Sequence, residues 1–340
     1  MLIGLFALAV LALFATMPLV WLALGIPWMT LAVTFALIPA LDAWVGAPRR
    51  GAMQALPDAV ARWIPRAHLV FQAWLLVDAA RLAPTLAWGE LVGFALAVGT
   101  VTGGIGITVA HELGHRAARL DRAIAKVLLV SVLYGHFFVE HVRGHHVRVA
   151  TPDDPATAPR GMNVYRFILR SVIGGFAHAW KLEAMRLRRS GRWAWHPSNW
   201  VLSGTVLSGL LLGVAAWAGG AQALVLFVLQ AIWAFVLLET VNYIEHYGLQ
   251  RRRQGARYEP VQPRHSWNAD FAISNWLLFN LQLHSDHHAH MERPYEALRT
   301  IPAAPQLPAG YPTMVVAALV PPLWFALIER RLPEATAAAR

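Results

Sequence analysis

Six stretches of this chain, at about residues 2–24, 27–45, 67–82, 91–110, 200–218 and 221–245, are apolar. Each approaches the roughly 20 helical residues needed to cross ~30 Å of hydrocarbon. Inside a bilayer every backbone N–H and C=O must be satisfied within the segment, so such stretches are expected to be helices. The predicted fold is an all-α integral membrane protein with about six transmembrane helices, as a single domain over 1–340. At 57% hydrophobic and 14% charged, with mean hydropathy +0.44, the chain is too apolar to be disordered and too poor in charge for an ordinary soluble globule.

Gly25 and Pro27 separate the first two blocks, Gly219-Gly220 hinges the last two, and the third contains Asp78 and Arg81. The first block lacks the basic start and cleavage site of a secretory signal, and a second span follows at once, so it reads as a retained helix. Two shorter apolar stretches, 127–139 and 314–328, the latter containing Pro321-Pro322, are expected to be interfacial or re-entrant. The Ala-rich tail, 333–340, is expected to fray.

Basic residues set the orientation. With the N-terminus in the cytosol, only Arg81 of the 29 Lys and Arg falls in an outer loop. Arg49, Arg50, Arg62 and Arg66 then lie inside, as do the segments 111–199 and 246–311. The net charge of +10 is thus a topological signature and not a nucleic-acid footprint.

Nine of the 15 histidines fall into four groups: His111 and His115; His141, His145 and His146; His246; and His284, His287 and His288. Residues i and i+4 share a helix face, so His111 with His115, His141 with His145, and His284 with His288 are expected to point together, with His287 close by. In the predicted topology all four groups reach the same cytosolic face. Nine neutral imidazoles suit a borderline transition metal such as iron, zinc or copper, and suggest two ions with four or five histidines each. With no Cys, thiolate ligation and iron–sulfur centres are excluded. Glu112, Glu140, Glu245 and Asp286, together with Asn242, are expected to stand behind the ligands and fix imidazole tautomers, though some of the carboxylates could bind directly. The other six histidines, His68, His136, His178, His196, His265 and His290, show no such pattern.

His111-Glu112-Leu113-Gly114-His115 also matches the H-E-x-x-H pattern of zinc proteases, with Glu112 as general base. That reading leaves seven histidines without a role. A transporter or metal carrier would want ionisable residues along its spans, and Asp42, Asp78, Arg81 and Glu239 are the only charged candidates.

The motifs H-E-L-G-H, E-H-V-R-G-H-H, N-Y-I-E-H-Y-G (242–248), H-S-W-N (265–268) and L-Q-L-H-S-D-H-H (281–288) resemble those of the membrane-bound alkane 1-monooxygenases. That family belongs to the membrane diiron superfamily that includes the fatty-acid desaturases. The resemblance runs from His111 to about Tyr311. It implies a six-helix bundle with a cytosolic cap over two non-haem iron ions, held by His111, His115, His141, His145, His146, His246, His284, His287 and His288. It further implies O2-dependent hydroxylation of the terminal methyl of medium-chain n-alkanes in the bacterial inner membrane. Fatty-acid derivatives or aromatic methyl groups are the alternative substrates. The implied partners are rubredoxin and its flavin-dependent reductase. Without Cys the electron donor is expected to be a separate protein that docks, steered by basic residues such as Arg251, Arg252, Arg253 and Arg257. Phe137, Phe138, Tyr243, Trp267 and Trp276 are candidates for keeping water from the site. Two departures are visible: Leu283 stands where the family often has a basic residue, and the chain enters its first span almost immediately.

Overall fold

The computed structural model describes residues 2–47, 56 and 58–333; Arg49, Arg50 and residues 334–340 lie outside the described residues. Helix α1 is Leu2–Ala23. A turn at Gly25 leads into α2, Met29–Val45, which carries a π turn at Val33–Leu37. Helix α3, Asp58–Leu82, begins nine residues before the apolar block. Its first turns are amphipathic, and hydropathy alone does not detect them. Helix α4, Trp88–His115, is continuous through a π turn at Thr102–Ile107 and delivers His111 and His115 at its end.

Helix α5, Arg119–Ser131, takes in only the start of the shorter apolar stretch 127–139 and ends in a tight turn at Leu133, φ 56°. The chain then forms α6 from Phe137–Glu140, a π turn His141–His145, and His146–Arg148. Helix α7, Val164–Arg189, follows inside the basic segment, its N-terminus capped by the Asn163 side chain. No sequence expectation covered it, because its apolar face is diluted by charge. Helix α8, Trp200–His246, bends where expected: Gly219 and Gly220 leave helical geometry, and Gly220 has φ 64°, which favours glycine.

Beyond α8 lie a two-residue hairpin, Arg253–Gln254 with Arg257–Tyr258, and α9, Ala272–Leu277. Helix α10 is His284–Ala289. The apolar 314–328 stretch breaks at Val320 into α11, Tyr311–Leu319, and α12, Pro321–Ile328.

Among the described residues, two helices are long and apolar enough to cross a membrane, α4 and α8, the latter folded at its glycine hinge. Large apolar side chains such as Leu13, Leu210, Val214 and Trp217 face outward, as expected of a surface bathed in lipid. At the centre α4 packs directly on α8. A Cβ on Gly99 would sit 2.6 Å from the Gln230 carbonyl oxygen, so only glycine permits this approach. Buried side-chain hydrogen bonds add to the packing: Thr102 Oγ1 donates to Gln230 Oε1 (2.8 Å), Gln230 Nε2 to the Ser131 carbonyl (2.9 Å), and Trp233 Nε1 to Thr100 Oγ1 (2.9 Å). This locked pair fixes the relative height of the two helix ends that carry His115 and His246.

Candidate metal centre

The nine histidines of the four motifs meet at one pole of the bundle. They do so as two groups, His111, His115, His141, His146 and His287 in one, and His145, His246, His284 and His288 in the other. Within each group the nitrogen donors lie within 4.8 Å of one another. The unpatterned histidines stay outside both.

The division corrects the spacing argument. His141 and His145, expected on one face, serve different groups. The cause is the π turn His141–His145, whose i→i+5 bonding moves the shared face one residue on. His141 therefore pairs with His146, with Nε2 atoms 3.0 Å apart. Helix α10 is α-helical, so His284 and His288 keep the i, i+4 relation at 2.9 Å, while His287 turns to the other group. Both sequential pairs, His145-His146 and His287-His288, are consequently split between groups.

The nitrogen geometry fits metal binding. Nε2 of His141 lies 3.0 Å from that of His115, and Nε2 of His146 lies 3.1 Å from that of His287. In the second group, His246 and His284 Nε2 are 3.1 Å apart. Two ligands at right angles, each ~2.1 Å from a common ion, stand about 3.0 Å apart. A neutral imidazole has a single N–H to donate, so these chains of close nitrogens are poorly explained as hydrogen bonds alone. Nε2 of His111 and of His145 are buried with no hydrogen-bond partner. Burial first, then neighbouring imidazoles, holds His141, His146, His284, His287 and His288 well below the usual histidine pKa. They are thus neutral and able to donate lone pairs. An all-nitrogen donor set suits a borderline transition metal, and iron fits it.

The supporting residues differ from the expectation. Glu112 pairs with Arg116 (Oε1–Nε 3.0 Å), which also removes it from the general-base position of the protease reading. Glu140 accepts from His178 Nδ1 at 2.7 Å, and His178 in turn contacts Arg148. Asp286 binds Arg293 and the Arg299 amide, together with His290. Asn242 donates to Glu239, which also accepts from the Tyr134 hydroxyl. These hydrogen bonds go to Arg116, His178, Arg293 with the Arg299 amide and His290, and Glu239, and not to the grouped imidazoles. Glu245 does reach the groups: its Oε2 lies 3.2 Å from His284 Nε2, and its Oε1 accepts from Tyr311 Oη at 2.9 Å.

Sequence reasoning missed Asp154. This carboxylate is fully buried, and its Oδ2 lies 2.9 Å from His145 Nδ1. Thr157 Oγ1 and the Ala156 amide hold it. Burial pushes Asp154 up, but His145 and Thr157 outweigh this and lower its pKa. An acceptor on Nδ1 leaves His145 Nε2 free toward the group. The signal in the sequence was the Pro-Asp-Asp-Pro turn that follows the second motif.

A cavity of about 50 Å³ ends against both groups, at His111, His141, Glu245 and His284. Its remaining wall includes Gly103, Gly104, Leu237, Leu238 and Val241 from α4 and α8. Phe137 stacks on His141 at 4.9 Å between ring centroids. Of the other aromatics, Phe138 lies against Trp200, and Trp267 is fully buried and donates to the Tyr247 carbonyl. Asn268 next to it accepts from the Ser285 amide (2.8 Å), which anchors the start of α10. The arrangement can thus present an apolar group to both histidine groups.

Comparison with known proteins agrees with this geometry. The family model described as fatty acid desaturase matches residues 86–318. Alkane 1-monooxygenase 2 of Pseudomonas aeruginosa is 42% identical over 320 residues, 90% of this chain and 84% of that protein. An alkane 1-monooxygenase of Pseudomonas putida is 38% identical over 324 residues, 90% of this chain and 79% of that protein. The hydroxylase component of a xylene/toluene monooxygenase of Pseudomonas putida is 32% identical over 243 residues, 71% of this chain and 64% of that protein.

Proposed function

The chain belongs to the fatty acid desaturase family, among its alkane 1-monooxygenases, and from that premise we propose that it hydroxylates the terminal methyl of medium-chain n-alkanes at a two-iron centre. It is an oxidoreductase of the monooxygenase class. The balance is R–CH3 + O2 + 2 e⁻ + 2 H⁺ → R–CH2OH + H2O. The observation that carries the reading is the convergence of nine imidazoles in groups of five and four, with His111 and His141 of one and His284 of the other at the end of an apolar cavity.

The nine histidines are the proposed iron ligands: His111, His115, His141, His146 and His287 for one ion, and His145, His246, His284 and His288 for the other. Two irons held there would supply the activation of dioxygen. The rest falls to the protein. An alkane has no polar handle, so the cavity selects by shape and admits a chain end. The walls from α4 and α8 hold the methyl against the pole where both groups open. Phe137 and the packed ring of imidazoles keep bulk water out.

Electrons come from rubredoxin, reduced in turn by a flavin-dependent reductase. The hairpin carrying exposed Arg252, Arg253 and Arg257 offers positive charge to an acidic donor. Arg251 stays mostly engaged with the Glu259 and Val147 carbonyls. The proposed topology is six spans in the bacterial inner membrane, with the N-terminus and the metal pole in the cytosol. The hinge at Gly219-Gly220 then marks the outer turn between the last two spans.

The similarity to a xylene/toluene hydroxylase favours one second reading, oxidation of aromatic methyl groups. Product analysis separates the two. Iron-loaded protein with reduced rubredoxin is offered n-alkanes from hexane to hexadecane, fatty-acid esters, and toluene. Terminal alcohols from the alkanes are expected as the main products. Faster turnover of toluene would replace this reading with the aromatic one, and no hydroxylation by protein holding two irons would refute both.

A further inference from the structure

We propose that Glu245 completes the four-imidazole group as a fifth ligand through Oε2, and that Tyr311 positions its carboxylate for this. The inference rests on the two-iron reading above and deepens it.

The groups are unequal, with five imidazoles in one and four in the other. Glu245 stands at the end of α8, beside His246, and is 2% exposed. Its Oε2 lies 3.2 Å from His284 Nε2. That same nitrogen is 3.1 Å from His246 Nε2 and 2.9 Å from His288 Nε2. Oε2 therefore stands beside one ligand position of this group, near the ~3.0 Å spacing of adjacent ligands on one ion.

The charge argument is independent of the distance. Among the described residues no Lys or Arg pairs with Glu245. A buried carboxylate without a cation is costly, and a metal ion removes that cost. The other acidic residues near the pole are already answered, Glu112 by Arg116 and Asp286 by Arg293, while Asp154 faces His145 from its Nδ1 side. Among these carboxylates Glu245 alone meets an Nε2 atom of a group.

Tyr311 Oη donates to Oε1 at 2.9 Å, which occupies one carboxylate oxygen and leaves the other for the group. Tyr311 is itself 1% exposed, and its amide donates to Gln282 Oε1 at 2.6 Å, just before α10. Because Glu245 also lines the cavity, the oxygen ligand lies on the side that faces the substrate. The two ions then differ in donor set, five nitrogens against four nitrogens and one oxygen.

The test uses the full chain in detergent, loaded with ferrous iron-57 and followed by Mössbauer spectroscopy and by iron retained under a chelator. Wild-type protein should hold two irons with two distinct doublets; fewer than two irons would overturn the two-iron reading itself. Given two, Glu245→Gln should alter or remove one doublet only, and chelator should take its iron from two toward one per chain. Tyr311→Phe keeps the ring and its packing, and should perturb the same doublet, with one ion lost about 10- to 100-fold faster. Wild-type doublets and wild-type retention in both variants would overturn the proposal, as would equal disturbance of both ions. If Glu245→Gln does not fold, Tyr311→Phe decides by the same criteria.

Discussion

The five-imidazole group draws two rings from the end of α4, two from α6 and one from α10, and His115 in it is partly exposed. The four-imidazole group is buried throughout, and carboxylates approach two of its members: Asp154 at His145 and Glu245 at His284. One group is built almost wholly from helix ends and imidazoles. The other is set into a framework of buried acids and hydroxyls contributed by a turn, by the end of α8 and by α11. Equal ligand chemistry can therefore be reached by two kinds of support, and the two sites should fail differently.

The largest effects come from removing a ligand on each side. His246→Ala should release the ion of the four-imidazole group and abolish hydroxylation, a loss beyond the roughly 10- to 100-fold expected of a supporting residue. His146→Ala should do the same for the other ion. Iron analysis should find about one ion per chain in each variant, and full activity with normal iron in His246→Ala would break the division.

Asp154→Asn sharpens the contrast by touching one group only. It removes the negative acceptor from His145 Nδ1, and iron retention in the four-imidazole group should weaken by about 10- to 100-fold. Chelator release followed in time should show one fast and one unchanged ion. Two fast ions would mean that the support is shared.

Gly104→Leu should spare both groups and block the approach to them. A Cβ on Gly104 meets nothing within 4 Å, and the residue lines the cavity. The added side chain should lower kcat/KM for alkanes by about tenfold or more with both irons retained. Loss of iron would show that cavity and groups are not separable.

The smallest effect lies away from both groups. Burial raises Glu183, but hydrogen bonds from Arg186, the Trp200 amide and Arg143 outweigh it and hold its pKa at about 2, below the ordinary glutamate value of 4.5. A carboxylate lowered on folding contributes stability that is complete above about pH 4.5 and is lost as pH falls towards about 2. Glu183→Gln should remove that acid dependence and cost about 1–3 kcal/mol at neutral pH. Thermal unfolding of the detergent-solubilised protein across acid pH measures it, with iron content unchanged at neutrality.

The nine histidines that come together were legible because histidine is rare in apolar surroundings and its spacing repeats in four motifs. The glycine hinge was legible because adjacent glycines interrupt a long apolar run. The partition of ligands was not, since one π turn reassigns His145 and His146 and leaves no trace in composition. Asp154 was hidden because its pairing with His145 closes through a turn; Glu245 was visible in its motif, but its hydroxyl partner Tyr311, 66 residues later, was not. Helix α7 was hidden because its burial is one-sided and its basic residues lower the local hydropathy.

The two consecutive histidine pairs have a mechanical consequence. In each pair one imidazole belongs to each group, with ring centroids 5.8 Å apart for His145-His146 and 5.6 Å for His287-His288. A single peptide bond thus spans the gap between the groups at two separate places. These dipeptides tether the groups: a change in their spacing must be taken up by backbone or side-chain torsions at both places. The two groups are thus joined through the backbone at two places as well as through the packing around them.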